Sequence, residues 1–203
     1  MAATDLPSVR SLIVLQGSKI AGWNLFSFTP PAAIYFLDFV AYPILILVFA
    51  SLSLANAGRG GVACFMVLAA AGYCMWTLAE YLIHRFVLHH LPYFRGMHEV
   101  HHGDPHGLVG TPTIFSVLLF LFFVFWPLTA VLGVFAASSI STGLLSGYFA
   151  YGILHYTMHH WTSAGLKPLR QLKRHHAIHH HVDSHRNYGV TTTIWDRVFH
   201  TLR

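Results

Sequence analysis

Four apolar runs, each close to the length a bilayer's hydrocarbon core demands, constrain this chain more than anything else in it. They cover roughly residues 32–57, 62–83, 113–134 and 140–157. A helix needs about 20 apolar residues to cross. Asp38 and Pro43 interrupt the first run and Pro127 the third. Proline is tolerated in such helices because neighbouring groups satisfy the freed carbonyl. Asn56, Gly58, Arg59, Gly60 and Gly61 predict a tight turn between the first two runs. A short, polar, uncharged link is expected between the last two, at Ser138, Ser139, Ser141, Thr142 and Gly143. Composition agrees with this reading. Charged residues are 9% of the 203, against roughly 25% in soluble domains. A soluble domain so poor in charge would expose large apolar patches. Disorder is excluded by the 55% hydrophobic content. The net charge of +5 reflects only seven acids rather than a basic stripe, so no nucleic-acid partner is expected.

Four spans place both termini on one side. Eleven of the twelve Lys and Arg lie in the N-terminal tail, the loop between spans two and three, or the C-terminal tail; Arg59 alone lies opposite. That asymmetry makes the tail side cytoplasmic. All 17 histidines follow residue 83 and fall on or just inside that side. The expected fold class is all-α and integral to the membrane: four transmembrane helices in two hairpins, carrying a His-rich cytoplasmic helical cap. Residues 1–30 are expected to lie along the membrane surface, since they hold Trp23, Phe26 and Phe28 but no long apolar run. Residues 31–203 then form one domain. Cys64 and Cys74 sit in one run, separated by about 15 Å of helix, too far for a disulfide.

The histidines fall into four clusters. His84 and His89 end the second run; His98, His101 and His102 follow; His155 and His159 end the fourth run; His176, His179 and His180 come last. Spacings of three and four put side chains on one helix face. The five-residue step from His84 to His89 fits a helix end, where geometry relaxes. Imidazole suits Zn, Cu, Fe and Ni, and neutral imidazole is the common form near pH 7. Ten histidines exceed one coordination shell and suit two metals with five nitrogens each, or fewer with open positions. Such a shell carries no negative charge. Glu80, Glu99, Asp104, Asp183 and Asp196 all lie beside the clusters and are expected to take the far N–H of ligand rings. His90, His185 and His200 read as interfacial polar groups. His106, His160, His175 and His181 are less clear-cut, with His160 and His175 candidates for supporting positions. A loose chelating tract would be repetitive; these clusters are spread over four segments at helical spacing.

In order, the four clusters read His-x4-His, His-x2-His-His, His-x3-His and His-x2-His-His. They resemble the fatty acid hydroxylase/sterol desaturase superfamily. Glu80-Tyr81-x-x-His84-Arg85-Phe86, His155-Tyr156-x-x-His159-His160, His175-His176-Ala177-Ile178-His179-His180, Tyr188-Gly189-Val190-Thr191 and Trp195-Asp196-Arg197-Val198-Phe199 are similar to the fatty acid 2-hydroxylase branch. The resemblance covers roughly residues 75–203. It implies a cytosolic-face site of two iron ions, with zinc able to replace them on purification, that uses O2 to hydroxylate a lipid C–H bond. Carried over, the ligands are His84, His89, His98, His101, His102, His155, His159, His176, His179 and His180. The expected activity is fatty acyl 2-hydroxylation, in an inner membrane or endoplasmic reticulum. No His-Pro-Gly-Gly motif of a fused cytochrome b5 occurs here, so a separate electron donor is expected, cytochrome b5-like or ferredoxin-like. Lys167, Arg170, Lys173 and Arg174 suit docking of an acidic one as well as they suit a positive-inside anchor. Oligomeric state is left open.

Rival readings share some of these features. A carotenoid, sterol or sphingoid-base hydroxylase or desaturase of the same superfamily would differ only in pocket shape. A membrane metal-binding or transport protein would need polar groups along the spans, which offer little beyond Asp38. A bis-haem cytochrome would want paired histidines inside facing spans. No Gly-x-Ser-x-Gly elbow marks a hydrolase. Phe86, Tyr93, Phe94, Tyr156, Trp161 and Trp195 are candidates to line a lipid channel, or else an interfacial aromatic belt.

Overall fold

The computed structural model describes residues 30–58, 61–162 and 166–203. The segment expected along the membrane surface, with Trp23, Phe26 and Phe28, lies outside the described residues except for Pro30, as does Arg59. The described residues form helices and no strand. They are α1 (Ala32–Phe36), α2 (Asp38–Ala55), α3 (Gly61–Leu82) with a π-helical continuation over Ile83–Leu88, α4 (Pro92–Gly103), α5 (Thr113–Phe120) with a π-helical continuation over Leu121–Phe125, α6 (Trp126–His160), α7 (Lys167–His181) and α8 (Ile194–Val198).

Three helical runs are long and apolar enough to cross a membrane: Ala32–Ala55, Gly61–Leu88 and Thr113–His160. Their outward surfaces are apolar, with Leu47 67% exposed, Val67 69% and Val131 80%. This is the surface of a membrane protein, where lipid rather than water meets the side chains.

The 48 residues of the third run would extend about 72 Å if straight. They fold back instead. Asp38 accepts from Thr113 through Oδ1 and from the Tyr148 hydroxyl through Oδ2 at 3.3 Å. The Tyr42 hydroxyl lies 2.7 Å from Ser116 Oγ, and its ring stands 4.5 Å from that of Tyr148. Thr113 and Tyr148 would be about 52 Å apart on one continuous helix. The break is at Gly133, with φ 77° and ψ 167°, a backbone conformation open chiefly to glycine.

The polar link expected at Ser138–Gly143 is therefore corrected. Those residues are helical and buried, within the stretch of α6 that packs on α2 and α3. A Cβ on Gly143 would strike the backbone of Ala69, one on Gly72 the backbone of Ile140, and one on Gly147 the ring of Trp76. Small residues at four-residue spacing let two apolar helices approach backbone to backbone. Ser53 and Ser139, both fully buried, bond at 2.6 Å and tie α2 to the same helix. Tyr42, Phe49 and Leu145 form the core on α2's side, packed against Phe120 and Phe125. α6 is thus gripped on two faces, which fixes where its last turns carry His155 and His159.

Candidate metal centre

The ten histidines separate into two groups of five. His84, His89, His98, His102 and His179 form one; His101, His155, His159, His176 and His180 form the other. Within each group the nearest ring nitrogens all lie within 4.8 Å of one another. Nitrogens trans across a metal are about 4.2 Å apart at ordinary imidazole–metal bond lengths. Each group therefore has the size of one ion's shell. The two shells abut, for the His102 and His180 rings stack at 4.2 Å.

Local structure explains the odd spacing of the first pair. His84 and His89 bracket the π-helical turn after α3. Five residues of α-helix would leave them about 140° apart; a π turn of about 4.4 residues leaves them about 50° apart. Their ring centres are 5.2 Å apart. The relaxed helix end expected from the sequence is thus a regular turn of a wider helix.

The first group is a convergence of lone pairs. His84 Nδ1 is 2.6 Å from the Tyr188 carbonyl and His179 Nδ1 is 2.7 Å from that of Arg186. A carbonyl only accepts, so both Nδ1 atoms carry the proton and each neutral ring presents a bare Nε2. The Nε2 atoms of His84, His89 and His102 all lie 3.0–3.1 Å from His98 Nε2. One nitrogen with at most one hydrogen cannot satisfy three neighbours. In the second group, His159 Nε2 is 2.9 Å from His176 Nε2 and 3.3 Å from His155 Nε2. Among the described residues, His101 Nε2 and both nitrogens of His180 are buried with no hydrogen-bond partner. Buried polar nitrogens left unpaired are costly, and a cation at each centre removes the cost. Burial, reinforced by neighbouring imidazoles, pushes His89 and His101 down to about 3. Burial lowers His179 to about 4, and His98, His102, His176 and His180 are lowered too. The rings are held neutral, the state a metal requires.

The supporting residues suggested by the sequence divide into those at the surface and those behind the site. Glu99 is a surface residue paired with Arg95, Asp104 is exposed, and Asp183 pairs with Arg203. His160 bonds the carbonyls of Tyr156 and His106 and joins neither group. Buried Asp196 receives His175 Nε2 at 3.0 Å, the amides of Tyr188 and Gly189, and the Thr201 hydroxyl. Burial opposes its charge, but these four donors hold its carboxyl below the ordinary range. Glu80 receives the Val190 and Thr191 amides and the Thr191 hydroxyl. Neither acid touches a ring of the two groups. Together they clamp the loop over residues 186–191, and that loop's carbonyls hold His84 and His179. Gly189 is required there, because a Cβ would strike the Thr192 carbonyl. Asn187, fully buried at φ 57°, ties the loop to the His175 carbonyl and to Arg203. Sequence reasoning missed these backbone acceptors; Tyr188-Gly189-Val190-Thr191 marked the loop without revealing its role.

A cavity of about 290 Å³ opens beneath the rings. His84 and His98 of one group and His101 and His155 of the other line it, so it reaches both centres. Its aromatic wall is Tyr35, Phe39, Tyr42, Trp76, Tyr148, Phe149 and Tyr151. The six aromatics that the sequence offered as channel-lining or belt residues are not among them. Phe86, Tyr93, Phe94 and Trp161 are exposed, Tyr156 stacks on His160, and Trp195 bonds Thr77. Four of the six lie on the surface, while the wall comes from α1, α2, α3 and α6.

The family model for fatty acid hydroxylases matches residues 69–201, a stretch that holds all ten histidines. The chain belongs to the fatty acid hydroxylase family. Fatty acid 2-hydroxylase of Rattus norvegicus is 36% identical over 150 residues, 68% of this chain and 40% of that protein. Dihydroceramide fatty acyl 2-hydroxylase FAH2 of Arabidopsis thaliana is 35% identical over 147 residues, 67% and 60% of the two chains. The chain thus spans less than two thirds of either relative. Among solved structures, full-length scs7p, with only its hydroxylase domain visible, aligns at TM-score 0.73 and 28% identity over 83% of this chain and 66% of that one. The chain therefore shares its overall architecture with that solved domain.

Proposed function

We propose that the chain is a membrane oxygenase with two iron ions, hydroxylating the fatty acyl part of a membrane lipid, at carbon 2 as its relatives' names indicate. The observation that carries this reading is the pair of five-histidine groups, with unpaired buried nitrogens, opening onto one cavity. The ligands are the five histidines of each group. Bound there, two ferrous ions would supply the chemistry that replaces a C–H bond with C–OH, using O2 and two external electrons and releasing water. The cavity is lined by His84 and His98 of one group and His101 and His155 of the other, so a lipid held there would lie beside both ions. The chain's own part is positional. Tyr188 and Arg186 carbonyls hold His84 and His179 in the tautomer that presents Nε2. The aromatic wall excludes water and aligns the acyl chain. All-nitrogen ligation leaves the centre cationic, which favours electron delivery.

The reversal at Gly133 supports four spans, with both termini and the histidine cap on the cytoplasmic side under the positive-inside rule. Lys167, Arg170 and Arg174 are exposed on one side of α7, the helix whose other side carries His176, His179 and His180. That face suits an acidic electron carrier.

Mass spectrometry of lipids from cells expressing this chain under 18O2 tests the reading. One labelled oxygen is expected on the acyl chain of one lipid class, and none with a His101→Ala/His179→Ala double variant. Equal labelling in that variant would sink the proposal.

A further inference from the structure

Two acids line the cavity, and the protein gives them unequal numbers of hydrogen bonds. Glu80 receives three, from the Val190 and Thr191 amides and the Thr191 hydroxyl. Asp38 sits at the first turn of α2, inside a run long and apolar enough to span a membrane. It receives one hydrogen bond from Thr113 and a longer one from Tyr148. A carboxylate has about four acceptor positions, so about two remain. No Lys, Arg or His among the described residues pairs with it. An intramembrane acid without a cation is expensive and marks a functional position. It also lies outside residues 69–201, the stretch the family model matches.

Its place relative to the histidines is set by α6. Tyr148, Tyr151, Gly152 and His155 all line the cavity at three- and four-residue steps. One stripe of the helix therefore runs from the partner of Asp38 to a ring of the second group, over two turns or about 10 Å. Gly152 leaves that stripe open, since a Cβ there would meet nothing. The cavity holds roughly ten water-sized volumes of about 30 Å³. That is room for a lipid head and its first carbons, with the rest of a long chain outside.

We propose that Asp38 accepts a hydrogen bond from a hydroxyl on the head of the bound lipid, and so selects an uncharged, hydroxyl-bearing head over a free fatty acid. This rests on the lipid-hydroxylase reading. A free fatty acid would bring a third carboxyl group into a cavity that Asp38 and Glu80 already line, where like charges repel. The offset from the histidines suits a hydroxyl several bonds from the oxidised carbon.

The test uses the metal-loaded full chain in detergent with three probes: dihydroceramide, its O-methylated ether and palmitate. Binding is read by thermal stabilisation, and turnover by label incorporation from 18O2 with a chemical reductant supplying the two electrons. The wild type is expected to bind dihydroceramide about 10- to 100-fold more tightly than the ether, the range for one hydrogen bond to a charged group. Asp38→Asn keeps an acceptor for Thr113. It should erase that preference, raise KM for dihydroceramide with little change in kcat, and improve palmitate binding. Equal affinity of the wild type for parent and ether overturns the proposal without any variant. So does an Asp38→Asn protein weakened equally toward all three probes, the mark of a purely structural role. A preserved binding preference with no 18O incorporation overturns the hydroxylase reading and leaves the head-group site standing.

Discussion

His98 shows how the centre is built from single side chains. Three other imidazoles crowd its Nε2 within 3.1 Å, more than its one hydrogen can satisfy. His179 belongs to the same group and is fully buried. His179→Ala is expected to lower bound metal below two per chain, measured by plasma mass spectrometry, and turnover by at least about 100-fold. His200, in neither group and exposed, should tolerate alanine with metal content and turnover near wild type. Asp196 acts one step further out. Asp196→Ala strands the Tyr188 and Gly189 amides and the Thr201 hydroxyl, at about 3 kcal/mol or more. Metal affinity should fall about 10- to 100-fold through the loosened loop. Competition against a chelator reads that loss separately from unfolding, which circular dichroism follows.

Helices position these residues through two departures from regular α-structure. The π turn at Ile83–Leu88 swings His89 onto the side of His84. Gly133 turns the third apolar run back on itself, so that Thr113 and Tyr148 meet at Asp38. The close packing of α3 on α6 keeps the first and third histidine clusters in register. Gly143→Leu places a side chain against the Ala69 backbone, which cannot yield. The expected penalty is about 3 kcal/mol, seen as a lower Tm in detergent. Gly58→Leu serves as control, because nothing lies near its Cβ and its Tm should not move.

The chain as a body has an apolar belt, a histidine end and a basic outer face. If an acidic protein donates electrons, Arg170→Glu/Arg174→Glu should slow reduction by that donor at low salt about tenfold or more. Reduction by dithionite should be unchanged, and the wild-type rate with the donor should fall as salt rises. Equal slowing with dithionite would locate the defect in the metal centre instead. The proposed topology predicts that a Gly58→Cys label reacts from the side opposite an Arg203→Cys label in sealed vesicles.

Element type, membrane character and the clustering of the ten grouped histidines were legible in the sequence, because apolar length and close spacing along the chain are local properties. The total of ten also matches the two groups of five that the fold assembles. Which histidine joins which shell was not legible: His101 and His102 are neighbours in sequence yet fall in different groups. Adjacent residues on a helix diverge by about 100°, so packing alone assigns them. The Ser138–Gly143 stretch was misread as a link because small polar residues serve a turn and a tight helix interface equally well. Only the approach of α3 distinguishes the two. The carbonyls of Tyr188 and Arg186 were invisible, since every residue has one. A single run of sequence settles what each helix is made of. Which groups face one another across the cavity is settled by contacts between helices far apart in the chain, where Asp38 meets Tyr148 and His84 meets His98.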